Sequence, residues 1–444
     1  MIDRNRIPCP KSPPMQLNLN IRGLRPSATV TINDLSDELI EKGHTVYKLG
    51  LGQSPFPVPE PVVNELRLNA HQKAYLPVSG LPALRESIAA HHRRIFKIDC
   101  TAENVLVGPG SKELMFLLQL VYYGDLIVPT PTWVSYVPQA RIIGRQVHLL
   151  PTRLEDGWRV TPEQLDHLCR SDPSRPRIVV LNYPSNPTGT TYSRQELKEL
   201  AKVARRYRLI ILSDEIYGKL HFAGDHESIV SYYPEGTIFS GGLSKWCGAG
   251  GWRLGLFVFP RCLRWLQDAM ATVASETFTS TCAPIQYAAV KAFQDDPAMD
   301  HYLFQVRRVL KALGQHITET LMHAGARMVA PTGGFFLFPD FSEFAEPLRK
   351  RGITTSTELC RRLLSEAGVA VLPGQEFGLH PDQLALRIAY VNFDGARVLK
   401  SIDQLPKHAT LDVQHFKEWC PDTLEAIDRL VEWITRENIS STEG

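Results

Sequence analysis

Short apolar runs alternate with helically patterned segments from Asn104 to Glu215, and this alternation constrains the fold more than anything else in the chain. The runs 104–107, 125–128, 146–150, 177–182 and 209–212 read as strands, being short, apolar and rich in β-branched residues. Between them, 113–121 has helical spacing, and Thr161-Pro-Glu-Gln164 and Ser193-Arg-Gln-Glu196 are capping boxes that open two more helices. Strands of this kind joined by capped helices make a mostly parallel sheet covered on both faces, an α/β fold. Ligands of such sheets sit beyond the carboxyl ends of the strands, so the polar residues just past each strand are the candidates for chemistry.

Outside this region the pattern changes. Ile32, Leu35, Leu39 and Ile40 predict a helix over 31–43 closed by Gly43, and the Pro- and Gly-rich run 50–61 predicts a loop. Beyond Pro284 the pattern is helical to about Gly325, then short strands are expected at 327–329, 334–338, 369–372 and 386–391, as in a smaller α+β domain. The expected division is an N-terminal arm and helix (1–48), a large domain (49–325) and a small C-terminal domain (326–444). The stretch 1–20 carries four prolines and no apolar core, so an irregular arm rather than a secretory signal is expected there. A net charge of +2 with scattered basic pairs gives no reason to expect a nucleic-acid partner, and no apolar window is long enough to span a membrane. Eight dispersed cysteines without metal spacing read as reduced, placing the chain in the cytoplasm, and no metal site is expected.

Chemistry concentrates at the strand ends. In Gly242-Leu-Ser-Lys-Trp-Cys-Gly-Ala-Gly-Gly-Trp-Arg-Leu-Gly255, Lys245 lies between two apolar runs. Burial there favours the neutral amine, a nucleophile that forms a Schiff base with a carbonyl. Arg253 offers a fork for a phosphate, and Gly108-Pro-Gly-Ser-Lys112 opens a helix whose N–H groups suit an anion. Asp214 ends a wholly apolar strand and needs a cation if buried, with a helix N-cap as its bland alternative. Asn186, in a turn stiffened by Pro184 and Pro187, could point its amide at a ligand or simply connect two elements. Trp133 could stack on a flat ring or belong to the core, Tyr217 could be core, and Arg387 in a strand-like run is a structural ion pair or a carboxylate fork. Together these residues suit a phosphorylated pyridine aldehyde whose ring nitrogen is kept protonated by an acid.

The lysine stretch, Asn186-Pro-Thr-Gly189, Asp214-Glu-Ile-Tyr217, Arg387 and the run Tyr75…Gly80…Leu84-Arg85 resemble the pyridoxal-phosphate-dependent class I/II aminotransferases of fold type I, over residues 49–392. The resemblance implies that pyridoxal 5'-phosphate is the cofactor, bound covalently by Lys245, which also shuttles the Cα proton. It implies that Asp214 pairs with the ring nitrogen, Asn186 and Tyr217 bind the ring oxygen, and Trp133 stacks. Gly110, Ser111, Lys112, Ser244 and Arg253 would hold the phosphate, joined by Tyr75 of a second subunit in a homodimer. Arg387, Gly52 and Asn186 would receive the substrate. The expected reaction is a ping-pong transfer of the α-amino group of an L-amino acid to a 2-oxo acid, with glutamate/2-oxoglutarate as one pair.

Two positions depart from the family pattern. Gly242 stands where a phosphate-binding serine is common, with Ser244 or Ser240 as substitutes, and the entrance loop reads Gly52-Gln-Ser-Pro55. The alternatives are a lyase using the same cofactor, cleaving carbon–sulfur bonds or forming an aminocyclopropane carboxylate, and a non-enzymatic relative that keeps the pocket.

Overall fold

The computed structural model describes residues 17–24 and 26–436; most of the expected arm, 1–16, lies outside them. Seven strands form the central sheet: β1 (Val105–Gly108), β2 (Asp125–Thr130), β3 (Val147–Pro151), β4 (Arg177–Asn182), β5 (Ile210–Asp214), β6 (Thr237–Gly242) and β7 (Gly255–Val258). Their order across the sheet is β1-β7-β6-β5-β4-β2-β3. Only β7 runs against its neighbours, pairing antiparallel with β1 and β6. The fold class and its mostly parallel sheet are therefore as the alternation implies.

Why the strands are apolar throughout is visible in what each face meets. Ile178, Val180, Ile210 and Leu212 pack with Leu114, Leu118 and Met270 from the helices Ser111–Val121 and Arg264–Thr277. Val179, Leu181 and Ile211 point the other way, onto Leu197, Leu200 and Ala204 of the helix Arg194–Arg206. Strand side chains alternate between faces, so burying both faces demands a continuous apolar run. Each such side chain contributes about 1.5–3 kcal/mol on burial.

Both capping boxes form as expected. Ser193 and Thr161 each accept a backbone N–H from the residue three positions on, and Glu196 and Gln164 reach back to the cap. The N-terminal helix spans Ala28–Glu41, and Gly43 takes a φ of 88°, the left-handed conformation that closes it.

In the C-terminal part a helix of 27 residues, Pro297–His323, precedes a small antiparallel sheet in which Leu386–Ala389 lies between Leu372–Pro373 and Phe336–Leu337. Two strand expectations need correction. The run 327–329 makes only an isolated bridge, Arg327 to Asp340, and 369–372 is split between two sheets. Val369–Ala370 instead runs parallel to Tyr47–Lys48, tying the segment before Leu49 to the C-terminal part. Pairing with a distant segment decided this, and no local pattern announces it.

The capping geometry gives a first prediction. Ser193→Ala should lower stability by about 1 kcal/mol, read as a shifted urea midpoint at unchanged m-value; an unchanged midpoint would contradict the role given to the cap.

Candidate active site

The ends of β4 and β5 are coupled before any ligand is considered. Asn182 and Asp214 are register partners, and the Asn182 amide donates to the Asp214 carbonyl at 3.0 Å. The Asn182 side-chain oxygen accepts the backbone N–H of Asn186 at 2.8 Å, which fixes the turn carrying that residue. The Asp214 carboxylate, in a residue 3% exposed, accepts the Tyr136 hydroxyl and a weak 3.4 Å bond from the Ile216 N–H. Burial pushes its pKa up to about 6, against the opposing pull of those two donors. Among the described residues it forms no ion pair, although a buried carboxylate calls for one and the Lys245 charge acts on it only from a distance.

Lys245 follows the end of β6 and turns back toward this acid. Its Nζ donates to the Gly52 carbonyl at 2.8 Å and lies 5.7 Å from the centre of the Tyr217 ring. Burial first, then the charges of Arg387 and Arg253, lower its pKa to about 8. With a pKa of about 8 the ammonium still predominates at physiological pH, but the neutral, nucleophilic amine is far more populated than in a free lysine. Trp246 locks the turn by donating its indole N–H to the Gly242 carbonyl at 2.8 Å.

The anion cradle is shaped by glycines. Gly110 caps the helix Ser111–Val121 with a φ of 92°, and a Cβ there would sit 2.3 Å from the Arg253 guanidinium. A Cβ on Gly255 would lie 2.1 Å from the Ser111 nitrogen. Only glycine permits this close approach of β7 to the helix N-terminus, whose free N–H groups and dipole attract anions. Arg253, itself at a φ of 53°, donates to the Gly250 carbonyl at 2.9 Å and stays exposed over the same N-terminus. Gly242 has a separate reason: a Cβ there would lie 2.7 Å from the Leu254 carbonyl oxygen, so no serine fits at that position. Of its two substitutes, Ser244 lines the cavity and Ser240 is wholly buried away from it.

Arg387 forms the opposite wall. It is 1% exposed and stacks against Phe336 and Phe377, 4.8 and 5.1 Å from the ring centres. It donates to the Gly50 carbonyl and to the Asn186 amide oxygen at 3.2 Å, while its Nε has no partner. Burial lowers its pKa to about 10. A buried guanidinium that faces a cavity and forms no ion pair among the described residues is a receptor for a carboxylate.

These groups enclose a cavity of 370 Å³. Gly52, Asn186, Asp214, Tyr217, Lys245 and Arg387 line it from the inside, and Ser111, Lys112, Trp133, Ser244 and Arg253 line it toward the helix N-terminus. Gly110 lies behind the guanidinium. Tyr75 is not brought in: it is 89% exposed and outside the cavity of its own chain. Tyr136, Asn182 and Phe336 were not anticipated from sequence. Tyr136 follows Trp133 in the same short segment, but nothing in the pattern distinguishes a buried phenol aimed at an acid from core. Ser27 and Thr29 of the N-terminal region also reach the mouth.

The donor set fits pyridoxal phosphate. A buried amine with a lowered pKa suits its aldehyde, a buried carboxylate without an ion pair suits a protonated ring nitrogen, and a helix N-terminus with an arginine suits its phosphate. Half-buried Trp133, set edge-on to Tyr136 at 5.1 Å, offers a face to a flat ring. No group of metal-ligating residues occurs among the described residues.

Residues 44–403 match the family described as aminotransferase class I and II. The chain is 34% identical over 385 residues to an aspartate aminotransferase of Geobacillus stearothermophilus, covering 84% of this chain and 95% of that protein. It is 34% identical over 366 residues to a probable aspartate/prephenate aminotransferase of Thermus aquaticus, covering 81% and 92%. Its structure resembles that of the Thermus thermophilus aspartate aminotransferase with maleate, with a TM-score of 0.80 at 29% identity, covering 94% and 99% of the two chains.

The lowered pKa of Lys245 gives a second prediction. Uptake of pyridoxal phosphate by cofactor-free protein, followed by the absorbance of the lysine-bound form, should accelerate with a midpoint near pH 8. It should vanish in Lys245→Ala, and a midpoint near that of a free lysine would refute the buried-amine account.

Proposed function

This chain belongs to the aminotransferase class I and II family and is a pyridoxal-phosphate-dependent transaminase; from that premise we propose that it transfers the amino group of aspartate, with glutamate and 2-oxoglutarate as the second pair. The observation that carries this reading is the pair of cations facing one cavity without carboxylate partners, Arg387 and Lys112. Lys112 stands 5.1 Å over the Trp133 ring, its pKa lowered by burial and by Arg253. Arg387 takes the α-carboxylate, common to all amino acids, and the Lys112 ammonium takes the side-chain carboxylate that defines an acidic one. Relatives named for aspartate as substrate support the assignment.

Bound in this cavity, pyridoxal phosphate supplies an aldehyde for the substrate amine and a cationic ring that withdraws electrons from Cα. The chain's own residues do the rest. Asp214, facing the ring nitrogen, becomes fully ionised against that cation and keeps the proton there, while Tyr136 and the Asn182 amide fix its orientation. Asn186 and Tyr217 hold the ring oxygen, and Trp133 holds the ring plane. Ser111, Lys112 through its backbone, Ser244, Gly110 and Arg253 receive the phosphate. The Lys245 amine would hold the cofactor through its aldehyde and, with its lowered pKa, would serve to move the proton at the substrate Cα. Phe336 and Phe377 keep water from Arg387, which strengthens its grip on a carboxylate.

The same reading extends to assembly and place. Tyr75, exposed on its own chain, reaches the phosphate of a second copy in a homodimer. The division into 1–48, 49–325 and 326–444 lets the small domain close on the substrate. The reaction takes place in the cytoplasm, consistent with seven free cysteines among the described residues. No helix among them is long and apolar enough to cross a membrane.

Mixing the cofactor-loaded protein with single amino acids tests the assignment: aspartate and glutamate should discharge the lysine-bound absorption band, and alanine should do so far more slowly. Arg387→Ala should raise KM for every amino acid by at least about 30-fold, roughly 2 kcal/mol. Lys112→Met should raise it for aspartate but hardly for alanine; equal effects on both would remove the side-chain role. Sedimentation that finds only monomers would dispose of the shared site.

A further inference from the structure

Lys112 lines the active-site cavity, and one short segment of chain holds it at both ends. Its ammonium stands over the Trp133 ring, and its backbone carbonyl accepts an amide N–H of Gln139 at 2.8 Å. Gln139 belongs to the helix Tyr136–Ile142 and is buried, yet it is not among the residues lining the cavity. It follows Tyr136 by three residues, so the two side chains leave the same side of that helix. Tyr136 spends its hydroxyl on the Asp214 carboxylate, and Gln139 spends its amide on the lysine.

The direction of the Gln139 bond is set by chemistry. A carbonyl only accepts, so the group facing Lys112 is the NH2, and the Gln139 Oε1 is left for another donor. That donor is Gln119, from the helix Ser111–Val121 that also carries Lys112; its Nε2 reaches the Gln139 oxygen at 3.1 Å. With its NH2 committed in this way, Gln119 keeps its own Oε1 buried without a partner. A buried acceptor left unpaired is destabilising, and two apolar side chains of similar size would avoid it. What the amide pair supplies and an apolar pair could not is a donor at the Lys112 carbonyl.

That carbonyl lies in the first turn of its helix, where Lys112 is the second residue. The lysine side chain is a point charge on a flexible four-carbon stem, so its ammonium is well placed only if the stem is fixed at its root as well as at its tip. Fixing it beforehand spares the ordering that a carboxylate would otherwise impose on binding. Gln139 fixes the root, and Trp133 the tip.

We propose that Gln139 is a positioning residue for the recognition of acidic side chains: by holding the Lys112 carbonyl it sets the place from which the ammonium meets the second carboxylate of the substrate. This rests on the role given to Lys112 above. The α-carboxylate is received elsewhere, by Arg387, so an amino acid without a side-chain carboxylate does not depend on Gln139.

The test uses cofactor-saturated protein and two readouts. Succinate carries both carboxylates of aspartate but no amine, so calorimetry measures its binding without turnover; half-reaction kinetics with aspartate and alanine give KM and kcat. Gln139→Leu should weaken succinate and raise KM for aspartate by about tenfold, leaving kcat for aspartate and KM for alanine unchanged. Gln139→Glu should do the same, because its carboxylate has no N–H for the Lys112 carbonyl. The double variant Gln119→Leu/Gln139→Leu should lose the same discrimination with a urea midpoint no lower than the parent's, and it decides the matter if Gln139→Leu does not fold. Lys112→Met is measured alongside. If it leaves succinate binding intact, the role of Lys112 fails and this inference with it. If Lys112→Met weakens succinate while the Gln139 variants do not, or if they impair aspartate and alanine equally, the inference alone is overturned.

Discussion

Three buried charges without partners, Lys245, Asp214 and Arg387, set the terms on which this structure exists. Any of them would be more stable in water or beside an opposite charge. They are held in place because neighbouring groups over-determine them: Tyr136 and the Ile216 N–H hold the acid, the Gly52 carbonyl holds the amine, and the Gly50 carbonyl and Asn186 hold the guanidinium. The cost is met by the large apolar sheet beneath, and cofactor and substrate supply the missing opposite charges. Reactivity follows from that imbalance. An amine whose pKa is pulled down and a carboxylate whose pKa is pushed up are poised groups, and a fully paired site would leave them inert.

The same logic separates the two cavities. In the first, positive groups converge with a nucleophile and an acid, so covalent chemistry on a carbonyl is possible. Behind the lysine-bearing turn, where a second cavity of 620 Å³ opens, the Lys219 amine instead lies over the Trp246 and Phe293 rings with the Asp300 charge acting on it, and nothing like the Asp214 and Arg387 arrangement faces it. A depressed lysine pKa occurs in both, so geometry rather than titration distinguishes a reactive lysine from a merely buried one.

Backbone constraints explain where this chain departs from its relatives' pattern. Gly242 is forced by the Leu254 carbonyl, while Ser244, two residues further along, lines the cavity. Gly110 and Gly255 are set by the approach of β7 to a helix N-terminus. At Gly242 and Gly255 a side chain would collide with backbone, which cannot retreat as a flexible side chain can, whereas Gly110 is held by its positive φ and by the Arg253 guanidinium beside it.

Much of this was legible in the residues. The parallel sheet followed from apolar strands between capped helices, since burying both faces leaves no polar alternation to mislead. Lys245, Asp214, Asn186 and Arg387 were recognisable because a charged or amide group at the end of an apolar run has few bland explanations. Tyr136, Asn182 and Phe336 were not, because a buried phenol, a strand-end amide and a core phenylalanine look alike until their neighbours are known. The split of 369–372 between two sheets was decided by pairing with a segment more than a hundred residues away, and the exclusion of Tyr75 from its own chain's cavity and the placement of Lys219 over Trp246 and Phe293 by how the elements pack. Sequence by itself determined which elements form and which residue types stand at their ends, because periodicity and capping act over a few residues. Only the tertiary structure decided which of those ends meet and which charges are left unpaired, because burial and electrostatics depend on neighbours brought together through space.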